Sequence, residues 1–431
     1  MAPIENQPIL PEDDGSQEKH LVLIGGGHSH VHVLKVIGDQ RSTSNKSVRL
    51  TVISSVRFTP YSGMLPGYLA GHYTHEQIHL DVLKLTKHAG GRFIHAPAVR
   101  VEVNEGGCGG TVYLGPAADG SSDVLNQQPS TTVHYDCLSI NIGSSPGAVP
   151  STSVIPVKPI STFCQQYQAL LDAVEEHEQA TTYRVCVVGG GAGGVELALA
   201  LQHRLLSTTN LQSLELEIIT RSDAVLESHG PAVRRKFQRI LRERKITVTT
   251  RASVTAVANG DSSTQQRIML ADGTERLVDA CFWCATAESA QWLSDATPFA
   301  CTPTGNFLRV AETYECIGFT GVFAAGDCAY MDAHPRARAG VFAVRAGPIL
   351  VENILRYLRK EPLIRHRPQE RFLQLISTGD QYAVASRYAH VALEGKWLWR
   401  LKDRIDRKWM EKYMIAYKQE PESSSSYCKE H

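Results

Sequence analysis

The stretch that decides the fold of this 431-residue chain is Val185-Cys186-Val187-Val188-Gly189-Gly190-Gly191-Ala192-Gly193-Gly194. Its four leading apolar residues predict a buried parallel strand, its glycines have the spacing G-x-G-x-x-G, and residues 195–201 have helical composition. Gly189 permits a tight turn, Gly191 lets the main chain approach a pyrophosphate, and Gly194 allows close packing of helix on strand. Free N–H groups at the start of the helix would bind the anion. This order of strand, turn and helix predicts a dinucleotide-binding site.

A second glycine turn stands near the N-terminus, where Leu21-Val22-Leu23-Ile24 leads into Gly25-Gly26-Gly27-His28-Ser29-His30. Gly25 and Gly27 fill the first two required positions, but His30 stands at the third, and we expect this change to loosen the helix packing. The next apolar run, residues 50–53, is followed by two serines rather than by the acidic residue that usually binds a ribose. The turn therefore predicts a second dinucleotide site with a weaker signature.

A third signature lies far downstream in Thr320-Gly321-Val322-Phe323-Ala324-Ala325-Gly326-Asp327. It delivers an acidic residue, Asp327, on a tight glycine turn at the end of an apolar strand. With the two glycine turns, it resembles the FAD-dependent pyridine nucleotide–disulfide oxidoreductase superfamily, and within it the type II NADH dehydrogenase-like branch. The resemblance implies an α/β fold with two Rossmann-like domains, the second inserted in the first, and a C-terminal α+β module.

The resemblance also implies two cofactors, FAD and either NADH or NADPH, and a hydride that passes from the nicotinamide to the flavin and on to a small-molecule acceptor. The residues that it assigns to FAD are Gly25, Gly27, His28, Ser29, Val99, Gly143, Gly326 and Asp327, and those that it assigns to the nicotinamide dinucleotide are Gly189, Gly191, Gly194 and Arg221.

Further motifs look like the flavoprotein module that is fused ahead of selenide, water dikinase in some bacteria. The similar segments are residues 25–31, 59–67, 376–380 and 397–400, within a resemblance that runs from about Leu21 to Tyr413. No kinase portion follows, so a role in selenium metabolism is an analogy. A non-catalytic FAD-binding regulatory or interaction protein is the alternative to an enzyme.

Glu196 is the candidate catalytic residue, because members of the superfamily place an acid there near the nicotinamide and the flavin. A helix-start acid stabilised by the helix dipole is the alternative. The choice of nucleotide depends on Arg221 at the end of the next strand, which could pair with a 2′-phosphate and favours NADPH slightly. A solvated surface Arg is the alternative there.

Cysteine placement excludes reduction of a disulfide by the family's usual route, because no cysteine precedes residue 108. Cys281 and Cys284 have C-x-x-C spacing, but strand alternation should send them to opposite faces. His28 and His32 have the i, i+4 spacing of metal ligands, but they open the helix that should meet the FAD phosphates, so we expect no metal. Gly340 and Arg345 stand where quinone-reducing relatives carry a Gln-containing sequence, which puts quinone in doubt.

The overall composition argues against nucleic acid as a partner, because 44 basic and 44 acidic side chains give a net charge of zero. Ten scattered cysteines fit a reducing compartment, and the N-terminus lacks a signal sequence, so we expect a cytoplasmic protein. No apolar run approaches the roughly 18–20 residues that span a membrane.

The C-terminal segment from Lys396 to Lys412 contains seven basic and three acidic residues and three tryptophans. Leu398, Leu401, Ile405 and Trp409 recur with the spacing of one face of an amphipathic helix. This face could lie on an anionic membrane as a peripheral contact. Alternatively, it could pack on the FAD domain or on a second subunit in a homodimer.

The expected organisation has six parts: a disordered N-terminus (1–19), the FAD-binding domain in two parts (20–154 and 291–348), the NAD(P)-binding domain (155–290), the C-terminal module (349–415) and a disordered tail (416–431).

Overall fold

The computed structural model describes residues 18–41, 48–116, 131–147, 149–151, 153–175, 182–208, 211, 213–260, 265–369, 372–388 and 390–415. The segments expected to be disordered lie outside these ranges, except for residues 18 and 19. Within the described ranges, no helix combines the length and the apolarity that a membrane span requires.

The strands are β1 (His20–Ile24), β2 (Arg49–Ser54), β3 (Phe58–Pro60), β4 (His79–Asp81), β5 (Arg92–His95), β6 (Ala98–Val103), β7 (Gly110–Leu114), β8 (Thr132–Tyr135), β9 (Cys137–Ile140), β10 (Ser145–Pro146), β11 (Ile155–Pro156), β12 (Thr182–Val188), β13 (Ser213–Ile219), β14 (Thr247–Thr249), β15 (Val254–Asn259), β16 (Gln266–Leu270), β17 (Glu275–Val278), β18 (Ala280–Trp283), β19 (Ala287–Glu288), β20 (Leu308–Val310), β21 (Val322–Ala324), β22 (Ala329–Met331), β23 (Gln374–Ser377), β24 (Ala383–Tyr388) and β25 (Val391–Gly395).

The helices are α1 (His28–Arg41), α2 (Leu65–Leu69), α3 (His75–Ile78), α4 (Val82–His88), α5 (Ile160–Glu175), α6 (Ala192–Thr208), α7 (Pro231–Glu243), α8 (Trp292–Asp295), α9 (Gly340–Leu358) and α10 (Lys396–Tyr413).

Two five-stranded parallel sheets carry the two glycine turns. The first has the order β21-β9-β1-β2-β5 and the second the order β11-β18-β12-β13-β14. The glycine turns follow β1 and β12, which each lie at the centre of their sheet, as the doubly wound dinucleotide fold requires. Because β21 joins the first sheet after the whole second sheet has been formed, the second domain is inserted in the first. The predicted α/β class and its insertion are confirmed.

Smaller antiparallel sheets flank this pair, in the orders β6-β7-β8, β15-β16-β17 and β23-β24-β25. The two-stranded pair β10-β19 lies where the chain enters and leaves the second domain. There the Gly147 N–H donates to the main-chain carbonyl of Thr286 at 2.9 Å, so the two crossover segments are bonded to each other.

Helices α1 and α9 cross closely beneath the first sheet. The hydroxyl of Ser29 in α1 donates to the main-chain carbonyl of Ala343 in α9 at 2.6 Å. A Cβ atom on Gly347 would lie 2.8 Å from Cβ of His32, so this crossing depends on a glycine. The contact fixes the direction in which the first turn of α9 points.

The expected boundary between residues 348 and 349 falls inside α9, which continues to Leu358 with Pro348 in its interior. Helix α9 runs across this boundary, because the missing N–H of a proline weakens a helix without necessarily ending it. We propose that the second part of the FAD-binding domain extends to Leu358 and that the C-terminal module begins after it.

The C-terminal module is formed by β23, β24, β25 and α10. On α10 the buried side includes Leu398, Asp406, Met410 and Tyr413. The expected apolar stripe was therefore wrong, because Leu401 and Ile405 are 36% and 45% exposed. The helix is rotated so that two members of that stripe face away from the protein.

Asn353 holds α9 to the loops on either side of it. Its fully buried side chain donates to the main-chain carbonyls of Thr313 (2.9 Å) and Ile364 (2.8 Å) and accepts from the N–H of Ile364 (2.7 Å). Replacing Asn353 by Leu keeps the size but takes away the hydrogen-bond partner of these part-buried main-chain groups. We expect the free energy of unfolding to fall by about 2–4 kcal/mol. This should appear as a decrease of roughly 5 °C or more in Tm.

Thermal unfolding followed by circular dichroism measures this change. Glu352→Gln is the matched control, because the partly exposed Glu352 carboxylate pairs with Arg356 and Arg359 near the end of the same helix. The control should stay within about 0.5 kcal/mol of the parent protein. An Asn353→Leu protein that melts with the control would contradict the role given to Asn353.

Candidate cofactor and active site

A cavity of about 350 Å³ opens at the carboxyl ends of β1, β2 and β9. Ligands bind at this edge in open α/β sheets. Of the residues assigned to FAD from the sequence, the lining contains Gly25, Gly27, His28, Gly143 and Asp327. Segments that are distant along the chain therefore converge on a single cavity.

The first glycine turn fits tightly against the end of β9. Gly25 has a φ of +89°, and a Cβ on it would lie 2.3 Å from the main-chain oxygen of Asn141. A Cβ on Gly27 would lie 2.1 Å from the side-chain amide of Asn141. Gly143, with a φ of +75°, would meet no atom within 4 Å, so the space beside it is open. Asn141, which also lines the cavity, was not predicted from the sequence.

Three long helices, α1, α5 and α9, begin at the cavity, since His28, Ile160 and Gly340 all belong to its lining. Unpaired N–H groups at helix starts favour anions. Lys158 is the one Lys or Arg among the lining residues in the described part of the chain. A cradle of glycine main chain, helix starts and one ammonium group fits the diphosphate of FAD.

Asp327 and Lys158 form an ion pair in this cavity. Nζ of Lys158 lies 2.8 Å from Oδ2 of Asp327 and also donates to the hydroxyl of Ser144 at 3.0 Å. The pair places one acceptor and one donor where the chain passes from the first sheet to the second. Lys158 belongs to no glycine motif, so no local signal in the sequence indicated it.

The three histidines of α1 have different neighbours. His28 bonds to the main-chain carbonyl of Pro60 at 3.1 Å, and burial lowers the pKa of its imidazole. His32 bonds to the hydroxyl of Tyr413 at 2.9 Å. No group of three His, Cys, Asp or Glu side chains that could hold a metal ion occurs within the described ranges.

His30, at the position of the third glycine, does not loosen the helix as we expected. Its imidazole is fully buried between the carbonyl of Gly25 (2.6 Å) and the hydroxyl of Ser139 (2.8 Å). Burial lowers the pKa of His30 to about 4, so the ring is neutral and can donate from one nitrogen and accept at the other. A hydrogen-bonded side chain thus replaces the close contact that a glycine would make.

The other three residues assigned to FAD have side groups that do not line the cavity. The hydroxyl of Ser29 is directed to α9, and Val99 lies on β6 with its side chain 40% exposed, next to Ala98 in the lining. Gly326 forms the turn before Asp327 with a φ of +76°. None of these three residues belongs to the lining of the cavity.

The second glycine turn has tight and open sides. A Cβ on Gly194 would lie 2.0 Å from the main-chain oxygen of Gly189, so this glycine is needed for the packing of the turn. Gly191 and Gly193 would meet no atom within 4 Å. The open side of Gly191 is where the sequence predicts the approach of a pyrophosphate.

Arg221 lies two residues after the end of β13 and is exposed. Thr220 beside it packs on the second turn, since its Cβ lies 2.8 Å from the Cβ position of Gly190. Arg221 therefore lies next to the turn, with its side chain accessible to solvent. Either of the two interpretations drawn from the sequence agrees with this placement.

Glu196 is the fifth residue of α6 and is bonded to the C-terminal module. Its Oε1 accepts hydrogen bonds from the N–H (2.8 Å) and the hydroxyl (3.1 Å) of Ser377 in β23. Loss of hydration raises the pKa of the Glu196 carboxyl, and the charge of Lys402 and the two bonds from Ser377 oppose that shift.

The C-x-x-C segment is structural. Cys281 lies in β18 opposite Cys186 of β12, whereas Cys284 packs beneath the second glycine turn, against Gly189. Cys281 and Cys284 belong to hydrophobic clusters on opposite faces of the second sheet, as strand alternation predicts. Burial raises the pKa of the Cys284 thiol, which disfavours the reactive thiolate.

A family model described as pyridine nucleotide-disulphide oxidoreductase matches residues 19–347, about three quarters of the chain. The chain belongs to this family. Membership of this family confirms the cofactors expected from the sequence, which are FAD and either NADH or NADPH.

One curated relative is ferroptosis suppressor protein 1 from Taeniopygia guttata, with 25% identity over 241 residues. The match covers 55% of this chain and about 60% of that relative.

Solved structures share the fold at lower identity. The sulfide:quinone oxidoreductase of Aquifex aeolicus has a TM-score of 0.69 at 15% identity and covers 92% of this chain and 91% of its own. NDH2 of Plasmodium falciparum in complex with NADH has a TM-score of 0.66 at 13% identity and covers 92% and 98%.

A third solved structure is an engineered water-forming NADPH oxidase bound to NADPH, with a TM-score of 0.63, 18% identity and coverage of 85% and 74%. Its changes include Asp to Ala, Ala to Arg and Met to Ser at three consecutive positions.

The open side of Gly191 leads to a prediction that separates folding from binding. The methyl group that Gly191→Ala adds meets no protein atom. Tm should therefore stay within about 2 °C of the parent value, which corresponds to a change of under about 1 kcal/mol in the free energy of unfolding. The methyl group would enter the space through which a pyrophosphate approaches, so the Kd for NADPH or NADH should rise about tenfold or more. Isothermal titration and thermal unfolding measure the two effects.

Gly193→Ala is the matched control, because it adds the same methyl group in equally open space two residues away. Gly194→Ala should instead lower Tm, since its Cβ cannot fit beside Gly189. If Gly191→Ala leaves the nucleotide affinity unchanged, the prediction that a pyrophosphate approaches this turn is wrong.

Proposed function

We propose that this chain is an FAD-dependent oxidoreductase that transfers a hydride from NADPH or NADH to FAD and passes the electrons to a small-molecule acceptor without a redox-active disulfide. One observation carries the proposal: a cavity that fits a dinucleotide diphosphate opens at the first glycine turn, and the second glycine turn has an open side that suits another diphosphate. FAD, when bound, supplies the group that takes up a hydride and delivers two electrons. The chain itself positions the two cofactors.

Asp327 and Lys158 offer polar contacts for the sugar and phosphate part of FAD. The start of α9 provides N–H groups that would stabilise negative charge on the reduced ring system. Glu196 stands at the second turn, where the nicotinamide dinucleotide would enter. These are roles in positioning and charge stabilisation, which hydride transfer between two aligned rings requires.

NADPH is the nucleotide that we propose as preferred. Thr220-Arg221-Ser222 has no acidic residue to bind a ribose 2′-hydroxyl, and its exposed guanidinium can pair with a 2′-phosphate. The engineered NADPH oxidase lost an Asp and gained an adjacent Arg and Ser through its substitutions. The same two side chains stand next to each other in this segment.

For the acceptor, we propose a small oxidised molecule, with quinones as the first class to test. The name of the similar sulfide:quinone oxidoreductase supports a quinone. Two features argue against a quinone. Helix α9 begins with Gly340 rather than with the Gln-containing sequence of quinone-reducing relatives, and the Arg345 guanidinium donates to the side-chain oxygen of Gln369 at 2.6 Å. A comparison of oxidants decides between quinones and other acceptors.

The competing proposal is a non-catalytic FAD-binding protein, with a link to selenium handling through the flavoprotein module that the sequence resembles. Such a protein would have little need of the second turn. We favour the enzyme for this reason, in the cytoplasm as the composition suggests.

Rapid mixing under anaerobic conditions tests the proposed function. NADPH should bleach the flavin absorbance of the purified protein, and NADH should do so less efficiently. Arg221→Ala should lower the efficiency of flavin reduction by NADPH about 10- to 100-fold, because it removes a charge-assisted contact to the phosphate. The efficiency of flavin reduction by NADH should change little. Arg184→Ala is the control, because Arg184 lies near the opposite end of the second sheet.

If neither nucleotide bleaches the flavin, the proposal of an enzyme is wrong and the non-catalytic regulatory protein is favoured. If Arg221→Ala lowers the efficiency of flavin reduction equally with both nucleotides, only the proposed contact between Arg221 and the 2′-phosphate is contradicted.

The outer face of α10 supports a peripheral membrane contact. Trp397 (54% exposed), Leu401 and Ile405 face away from the protein, with the exposed Arg400 and Arg404 on the same side. Aromatic and aliphatic side chains flanked by basic ones suit the interface of an anionic bilayer. We propose that this face lies on a membrane surface, and a homodimer through it is the alternative outcome.

Replacing Leu401 and Ile405 together by Glu should abolish flotation with vesicles of anionic lipid, since it removes apolar area and adds two negative charges. Leu206→Glu is the control, because Leu206 is exposed on α6, away from α10. Absence of flotation in the parent protein would overturn the membrane contact. A dimer that the double variant converts to a monomer in analytical ultracentrifugation would replace it.

A further inference from the structure

The imidazole of His28 forms part of the wall of the FAD cavity, at the start of α1. Its Nε2 lies 3.1 Å from the main-chain oxygen of Pro60. A carbonyl oxygen only accepts hydrogen bonds, so Nε2 carries the proton in this contact. Burial lowers the pKa of the His28 imidazole, so the ring is neutral at physiological pH and has one proton. Nδ1 of His28 is therefore an acceptor.

This acceptor lies close to the start of α9. A Cβ atom on Gly340, the first residue of α9, would lie 3.9 Å from Nδ1 of His28 and 2.7 Å from Oγ of Ser62. All three residues line the FAD cavity. Nδ1 makes no hydrogen bond to another residue in the part of the chain that the structure describes. The wall of the cavity thus contains an acceptor that is available to a ligand.

The start of α9 provides donors beside this acceptor. Ala339, the residue before the helix, has no polar side chain that could cap it, and the first N–H groups of a helix have no partner within the helix. The Phe342 N–H is used in a turn, where it donates to the carbonyl of Ala339 at 2.9 Å. The N–H of Gly340 precedes that bond and belongs to a residue of the cavity lining. A main-chain donor and an imidazole acceptor therefore border the same part of the cavity.

Two aromatic rings hold the plane of the imidazole. The ring centres of Tyr61 and Trp409 lie 5.4 and 5.3 Å from that of His28, at interplanar angles of 73° and 85°. Tyr61 and Trp409 stack on each other at 4.1 Å. With the bond to Pro60, these edge contacts fix the direction of Nδ1 before a ligand binds, and such preorganisation lowers the cost of binding. Since Trp409 belongs to α10, the C-terminal module contributes to this wall.

A donor next to an acceptor matches one edge of the flavin ring system. The pyrimidine edge of that ring carries a carbonyl oxygen at C2, which accepts, next to an N–H at N3, which donates. The start of α9 suits the oxygen, because the N–H groups and the helix dipole favour negative charge. The N3–H needs an acceptor, since a buried donor without a partner costs free energy. The hydroxyl of Ser62 can rotate, whereas the imidazole of His28 is fixed and presents a lone pair.

We propose that Nδ1 of His28 accepts a hydrogen bond from the N3–H of the flavin, so that His28 and the start of α9 together recognise the pyrimidine edge of FAD. The inference rests on the proposed function, because it takes this cavity as the FAD site. No bond of the flavin is made or broken in this contact. His28 sets the position of the ring system and discriminates against flavins that carry an alkyl group at N3.

The test compares FAD with its N3-methyl derivative, which has no N3–H, on the full-length chain after removal of bound flavin. Quenching of flavin fluorescence measures each Kd. The parent protein should bind FAD about 10- to 100-fold more tightly than the methylated flavin. His28→Phe keeps a ring of similar size without the acceptor, so its Kd for FAD should rise by the same factor. Its Kd for the methylated flavin should change less than about threefold, because that flavin never had the bond.

His88→Phe is the matched control, because His88 ends α4 and bonds to Asp39, near the opposite end of α1 from His28. It should bind both flavins as the parent protein does. Ser62→Ala removes a second polar side chain close to Gly340 and should retain the preference for FAD. Thermal unfolding followed by circular dichroism shows that each variant is folded.

Nuclear magnetic resonance of the protein reconstituted with isotope-labelled FAD gives a readout that does not depend on affinity. The N3–H proton in the parent protein should exchange slowly with water and resonate downfield of its position in free FAD. Both features should be lost in His28→Phe and kept in His88→Phe.

The results separate the contact from the function on which it rests. A loss of affinity in His28→Phe that is confined to FAD, together with loss of the N3–H signature, supports the contact. An equal loss with both flavins overturns it, because His28 would then only support the wall. Unchanged affinity for FAD in His28→Phe, or a loss confined to FAD in Ser62→Ala, also overturns it.

Flavin that binds with this preference but that neither nucleotide reduces overturns the proposed enzyme and leaves the His28 contact standing. A parent protein that binds no FAD overturns both.

Discussion

The structure depends on one constraint, a parallel strand that ends in a glycine turn and continues as a helix. Such a turn leaves main-chain N–H groups without partners at the start of the helix, and these groups need an anion or water. In this chain the constraint occurs twice, after β1 and after β12. Each time the strand is central in its sheet, so the turn opens at an edge where other strands also end. Both sheets, their order and the cavity follow from this arrangement.

The two turns meet the constraint in different ways. After β12, Gly194 allows the helix to touch the turn directly, because any Cβ would lie against Gly189. After β1, His30 takes the third position and satisfies the main chain with its own nitrogen atoms. The first solution is visible in the sequence, since only glycine fits it. The second is not, because it needs the hydroxyl of Ser139 from a strand more than 100 residues away.

Local signals in the sequence were sufficient for the fold class, the insertion of one domain in the other and the opposite directions of Cys281 and Cys284. They failed where the decisive partner is distant. On α10 a polar side faces inward, where Lys402 donates to the main-chain oxygen of Gly63, 339 residues away along the chain, and pairs with Asp406. Lys158 became visible only when the fold placed it beside Asp327. Periodicity assigns apolar residues to the core, and it cannot find charges that the core accepts in pairs.

The C-terminal module connects the two dinucleotide-binding parts rather than extending from one of them. Ser377 in β23 bonds Glu196 of the inserted domain, while Lys402 in α10 bonds the loop at Gly63 beside the FAD cavity. Further bonds join Glu394 of β25 to Lys236 and Arg239 of α7.

A hinge at the crossover pair β10-β19 alone would let the two parts move relative to each other. With the module bonded to both, such a motion must break several hydrogen bonds and ion pairs at once. Hydride transfer requires two rings held at a fixed separation. The function that we propose involves no disulfide exchange and needs no mobile arm, so a rigid connection agrees with it. The same connection explains why buried charges persist on α10, since they lie where the module meets both cofactor-binding parts.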